Sequence, residues 1–117
     1  MPKPAQAKPP PRKPRVVRGS RTGRPIMVLL DLLGRRWALR ILWELREGVL
    51  TSRALRTACD EASPTVLQAR LTDLREAGFV ELAEGGGYSL TPLGRELSET
   101  VLPLHRFAER WKAQLPR

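Results

Sequence analysis

The 117-residue sequence holds one cysteine and one histidine. A lone Cys59 excludes an internal disulfide framework, and with only His105 to join it there is no cluster from which a metal site could be assembled. The same scarcity leaves no nucleophile with its base, and no glycine-rich phosphate loop is present. The chain therefore reads as a non-enzyme without a cofactor. No stretch approaches the roughly 20 apolar residues of a membrane span, and the basic N-terminus lacks the apolar run of a secretory signal, so a soluble cytoplasmic protein is expected. Acidic residues are missing from positions 1–24, which carry Lys3, Lys8, Arg12, Lys13, Arg15, Arg18, Arg21 and Arg24. The remainder has 13 basic and 12 acidic side chains, so the net charge of +9 belongs almost wholly to that first segment.

What residues 1–24 do hold is six prolines among those cations and almost nothing apolar to bury. A disordered, extended arm is expected there, ahead of one folded domain over 25–117. The arm suits non-specific attraction to a polyanion such as DNA. Narrower readings are a minor-groove hook at Gly23-Arg24-Pro25 and a proline-rich peptide ligand at Pro11-Arg12-Lys13-Pro14; an inert tail is the plainest.

The most informative stretch runs from Ser63 to Gly78. Ser63 suits a helix N-cap, Pro64 the first helical position, and Gly78 the left-handed residue beyond the last turn. At 100° per residue Leu67, Leu71 and Leu74 share a narrow face, while Thr65, Gln68, Ala69, Thr72 and Glu76 fall opposite. The outer residues near the N-terminus are uncharged hydrogen-bonding groups with some methyl surface, suited to reading base edges in a major groove. A short amphipathic helix from Thr51 to Cys59 precedes it, making a helix-turn-helix. Phe79-Val80-Glu81-Leu82, the Gly85-Gly86-Gly87 turn and Tyr88-Ser89-Leu90 follow as a β-hairpin, the wing.

Upstream, Ile26, Leu29, Leu30 and Leu33 form one helical stripe closed by Gly34. Trp37, Ile41 and Leu45, with Leu42 beside them, form a second, over about 37–47. Val49-Leu50-Thr51 is long enough only for a bridge or short strand. After the wing, Thr91-Pro92 repeats the cap-then-proline start, and a long helix is expected from Leu93 to about Gln114, kinked at Pro103. Its seam of Leu97, Val101, Leu104, Ala108, Trp111 and Leu115 steps by fours and threes, which suits the same helix of a second subunit. Ile26 and Leu29 of the first helix would join that homodimer interface. The fold class expected is mainly α with a small β-hairpin: a winged helix-turn-helix with a long C-terminal dimerisation helix.

Four stretches together carry a likeness to a known group: Leu32-Leu33-Gly34-Arg35-Arg36-Trp37; Ser63-Pro64-Thr65-Val66-Leu67 with Arg70-Leu71 and Leu74; Glu76-Ala77-Gly78-Phe79-Val80-Glu81; and Tyr88-Ser89-Leu90-Thr91-Pro92-Leu93-Gly94. In their order and spacing the chain from Pro25 to about Trp111 resembles the HxlR-type winged helix-turn-helix regulators, a bacterial family related to the MarR group. The resemblance implies a dimeric transcriptional regulator, usually a repressor, with the Ser63 helix in the major groove, the hairpin beside the minor groove, and terminal helices forming the dimer. The sequence departs from the family in three ways. The redox-sensing cysteine that many members carry before the first helix's proline is replaced by Arg24, the wing tip has no Lys or Arg, and Ser52 stands where an aromatic residue is usual.

On this reading Thr65, Gln68 and Thr72 read bases, Gln68 foremost because its amide can bond an adenine edge bidentately. Arg36, Arg53, Arg56, Ser63 and Arg70 hold phosphates and fix register. Cys59 reads as a small buried hydrophobe rather than a reactive thiol. A small-molecule effector would find an apolar site near Trp43, Phe107 and Trp111, though aromatics beside a helical seam are more often plain core. The rival readings are a winged-helix module binding protein or RNA, and an architectural DNA-binding protein without sequence preference.

Overall fold

Each helix starts and stops where its sequence supplies partners for the free backbone groups. The computed structural model describes residues 23–116; the expected disordered arm up to residue 22, with its proline-rich motif, lies outside the described residues. The order is α1 (Pro25–Leu33), α2 (Ala38–Leu45), α3 (Ser52–Ala58), α4 (Pro64–Glu76), β1 (Val80–Leu82), β2 (Tyr88–Leu90) and α5 (Pro92–Gln114). Three helices share one N-terminal device: Thr51, Ser63 and Thr91 accept from the backbone N–H three residues on, at 3.0, 3.4 and 2.9 Å. Each such cap is worth about 1 kcal/mol. Arg24 precedes Pro25 in extended backbone and makes no side-chain cap.

The end of α4 is closed by a Schellman turn. Gly78 takes φ +89°, its N–H donates to the Arg75 carbonyl at 3.0 Å, and the Phe79 N–H reaches back to the Leu74 carbonyl at 2.9 Å. This is the arrangement a glycine at that position allows without a side-chain clash. Two other corners adopt left-handed backbone without glycine. Trp37 opens α2 at φ 75°, and Asp60 with Glu61 turns the chain between α3 and α4 at φ 58° and 60°. Such residues cost about 1–3 kcal/mol each and persist only when their surroundings hold them. At Trp37 the neighbouring Ala38 is fully buried and anchors the corner by packing, while the Trp37 carbonyl accepts the Ile41 N–H at 2.9 Å as the first bond of α2. At the second corner the Arg56 carbonyl accepts the Glu61 N–H at 2.7 Å, and Arg56 Nε donates to the Ala62 carbonyl at 3.2 Å.

The wing is antiparallel, pairing Val80 with Leu90, Glu81 with Ser89 and Leu82 with Tyr88. Leu50 bridges to Tyr88 on the other edge, so the expected Val49–Thr51 bridge extends the hairpin to a third short segment. Gly87 is required there: it adopts φ +87°, and a Cβ would meet Val49 Cγ1 at 2.9 Å and the Leu50 carbonyl oxygen at 3.1 Å.

One core joins all these elements. Ile41, Leu45, Leu55, Leu71 and Leu74 are its largest fully buried side chains, and Leu67, Val80, Tyr88 and Leu90 close it on the α4 and wing side. Burying one such leucine stabilises the fold by about 1.5–3 kcal/mol.

The seam of α5 divides in two, which corrects part of the expected dimer surface. Leu97 and Val101 are buried in the protomer's own core, where the first turns of α5 lie against α2 and β2. Leu29 also lies against this core and is partly covered. Beyond Val101 the helix continues through Pro103 to Gln114, and Leu104, Ala108, Trp111 and Leu115 are exposed, as is Ile26 on α1. The reason is that a four-and-three spacing selects a face, and a neighbouring helix of the same chain satisfies that face as well as a second subunit does. No described helix is long and apolar enough to cross a membrane.

Candidate nucleic-acid interface

The inner face of α4 carries Leu67, Leu71 and Leu74, all buried, and this fixes which side of the helix faces out. Thr65, Gln68, Ala69 and Thr72 are exposed on the opposite side. With Pro64 they line one open depression along the first two turns. The three residues expected to read bases are thus brought together on one uncovered surface. Gln68 is not wholly free: its Nε2 donates to the Tyr88 hydroxyl at 3.4 Å.

The arginines divide by what already holds them. Arg53, on the outer first turn of α3, and Arg75, in the last turn of α4, are exposed and make no ion pair among the described residues. Arg36 is exposed, with its guanidinium over the Trp37 ring, 4.9 Å from the centroid. Arg56 is committed to the turn between α3 and α4, through the Ala62 carbonyl and a 3.5 Å ion pair with Glu61. Arg70 turns away from the outer face. Its side chain is 18% exposed and its Nη1 bonds Asp73 at 3.2 Å, while Arg35 pairs with the same carboxylate at 2.8 Å. A phosphate role for Arg70 therefore gives way to a structural one, because moving it outward would strip Asp73 of one partner and leave a half-buried charge under-compensated. Ser63 is exposed, and its hydroxyl is used as the α4 cap.

Two features escaped the sequence. Arg75 lies one turn beyond Thr72 on the exposed side, and only its helical offset from Thr72 could have signalled it. The Tyr88 contact joins residues twenty apart through the folded wing, and nothing local announces it.

The wing tip has Glu81 and Glu84 exposed and no cation. Its glycines form a backbone turn in which the Ala83 N–H donates to Gly87 at 2.9 Å and the Gly86 N–H to Ala83 at 3.0 Å. No group of three or more metal-binding side chains occurs among the described residues. Cys59 is buried, and burial pushes its thiol pKa up against the opposing pull of Arg40, so little reactive thiolate forms at neutral pH.

The three aromatics expected beside an effector site are held differently. Trp43 lies between the Arg46 guanidinium, 3.7 Å from its ring centroid, and His105, whose ring centroid is 4.4 Å away. Phe107 and Trp111 are exposed, on other faces of α5 from His105.

The HxlR-like helix-turn-helix family profile matches residues 32–116. An uncharacterised HTH-type transcriptional regulator of Synechocystis is 30% identical over 96 residues, spanning 77% of this chain and 71% of that protein. Among solved structures, a possible HxlR family transcriptional factor from Thermoplasma volcanium superposes with a TM-score of 0.67 at 27% identity, covering 74% of this chain and 83% of that one. The quinone-bound YodB of B. subtilis superposes with a TM-score of 0.67 at 25% identity, covering 73% and 94%.

Proposed function

The chain belongs to the HxlR-like helix-turn-helix family, whose named relatives are transcriptional regulators, and from that premise we propose a homodimeric, sequence-specific repressor that lays α4 in the major groove. The observation that carries the reading is the bare outer face of α4, where Thr65, Gln68, Ala69 and Thr72 converge on one open depression. A helix whose outside served only as solvated surface would favour long charged side chains; this one offers short, uncharged groups that match base edges and thymine methyls. The exposed Arg36, Arg53 and Arg75 offer charge for phosphates, and the basic arm adds affinity that does not depend on sequence. Dimerisation is supported by the apolar side chains left exposed on α1 and on the outer half of α5: Ile26, Met27, Leu30, Leu104, Phe107, Trp111 and Leu115. Large apolar side chains exposed in this number on two helices ordinarily mark an interface.

The test is a mobility-shift series with the full chain, using DNA from upstream of its own gene, random duplexes and duplex RNA at several salt concentrations. A repressor of this kind binds the upstream DNA far more tightly than random duplex. Equal affinity for every duplex would make it an architectural protein, and preference for RNA would sink the reading outright.

A further inference from the structure

Tyr88 is pinned on several sides. Its ring is in the core, its N–H and carbonyl both pair with Leu50, at 2.8 and 3.1 Å, and it sits opposite Leu82 across the hairpin. Its hydroxyl is therefore a stationary point at the edge of the core, and it accepts from Gln68 Nε2 at 3.4 Å. At that length the contact orients the amide more than it holds it. Gln68 itself stands on the exposed face of α4, in the depression shared with Thr65 and Thr72.

The valence of the amide makes this consequential. A glutamine side chain has two N–H donors and one carbonyl acceptor. Adenine presents one acceptor, N7, and one donor, N6–H, in the major groove; guanine presents two acceptors, N7 and O6. A free glutamine satisfies adenine with one donor and its carbonyl, and it can also meet guanine by offering both N–H groups. Once one N–H is committed to the tyrosine, one donor and one acceptor remain, which complements adenine and leaves guanine one donor short. A tyrosine hydroxyl can also donate, so the discrimination belongs to the orientation seen here, with Nε2 turned toward the Tyr88 hydroxyl.

We propose that Tyr88 is a specificity-determining positioning residue: by occupying one N–H of Gln68 it sets α4 to accept adenine and reject guanine at one base pair of each half-site. The proposal rests on the reading of α4 as the base-contacting helix. It also gives the wing, whose tip lacks cations, a role through the strand residue that follows its turn.

The experiment first selects preferred sites from randomised duplexes with the full chain. It then measures affinities for all single-base variants of that site for the unmodified protein, Tyr88→Phe and Gln68→Ala. The unmodified protein should favour adenine over guanine at one symmetry-related position by about tenfold or more. Tyr88→Phe should cut that ratio several-fold at that position alone, and Gln68→Ala should level the four bases there. If Gln68→Ala levels the position while Tyr88→Phe leaves the adenine-to-guanine ratio unchanged, or weakens every position alike, the positioning role falls and the base-reading helix stands. If Gln68→Ala changes no preference, both fall. Should Tyr88→Phe fail to fold, the unmodified protein decides: a through-space proton contact between the Gln68 side-chain amide and the Tyr88 ring in solution supports the proposal, and its absence overturns it.

Discussion

Gly94→Ala reverses sign depending on whether local propensity or tertiary contact governs the junction of wing and last helix. Gly94 lies in the first turn of α5 with ordinary helical backbone, where exchanging glycine for alanine normally stabilises by about 1 kcal/mol. The site, however, is pressed onto the chain leaving α4. A Cβ there would run into the Phe79 carbonyl oxygen and come within 2.9 Å of its carbon and 3.2 Å of Phe79 Cα. All three are backbone atoms, so no rotamer change relieves the clash, and α5 must shift. That shift strains two bonds at the same junction: Thr91 Oγ1 donating to the Gly78 carbonyl at 2.6 Å and the Thr91 N–H donating to the Phe79 carbonyl at 3.0 Å. Overpacking of this kind costs about 1–3 kcal/mol, and the weakened bonds add roughly 0.5–1.5 kcal/mol each. Against a gain of about 1 kcal/mol from propensity, the expected net loss is about 1–5 kcal/mol, centred near 3. For a domain of this size a loss of about 3 kcal/mol lowers the melting temperature by about 12–24 °C. Circular-dichroism melts of the two proteins, at one fixed protomer concentration because an oligomer's midpoint depends on it, measure the difference. A variant that melts at or above the parent would refute the close approach of α5 to Phe79.

The remaining expectations concern the arm, the dimer and the thiol. Deleting residues 1–23 should lower affinity for specific and random duplexes alike and flatten the dependence of binding on salt, whereas Gln68→Ala should cost about 1–3 kcal/mol chiefly on the selected site; an unchanged salt slope after truncation would remove the arm from binding. Leu104→Asp together with Trp111→Asp should halve the mass measured by light scattering at micromolar concentration while leaving the circular-dichroism spectrum intact, and an unchanged mass would exclude the exposed half of α5 from the interface. Burial raises the Cys59 thiol pKa above its unfolded value of about 8.5, so its contribution to stability is full below that pH and is lost as pH rises through the higher native value. Urea unfolding between pH 7 and 10 should show the advantage of the parent over Cys59→Ala shrinking on the alkaline side, and a constant difference would contradict the shift.

Much of the fold was legible because the chain writes its helix ends in local chemistry. Ser63-Pro64 and Gly78 bound α4 to within a residue, Thr91-Pro92 starts α5, and Thr51 caps α3 through its own hydroxyl. The periodic leucines of α4 gave the buried face, and with it the exposed one. What stayed hidden depends on contacts far apart in sequence. The turn between α3 and α4 uses Asp60 and Glu61 in left-handed backbone, held by Arg56, where a glycine would have announced it. Arg56 and Arg70 look like surface cations by type, yet one braces that turn and the other reaches Asp73. The division of the α5 seam after Val101 has no local marker either, since both halves keep the same spacing.

These hidden contacts change how charge and specificity are shared. Beyond residue 24 the chain is nearly neutral, and Arg35, Arg40, Arg46, Arg56 and Arg70 are paired with carboxylates inside the fold. On α4 itself Arg70 is paired and Arg75 is the cation left uncommitted among the described residues, and Arg53 on α3 is likewise exposed. An interface with few free cations draws a small share of its affinity from counterion release, so its discrimination between sequences should survive rising salt better than its total affinity does. The basic arm shows the opposite balance, with eight cations and no acidic side chain over residues 1–24. In the full chain, then, raising salt should weaken random and specific binding together through the arm. The ratio between them should hold nearly constant, because uncharged side chains such as Gln68, Thr65 and Thr72 set it. A specificity ratio that collapsed in step with affinity would mean that phosphate contacts, not α4, choose the site.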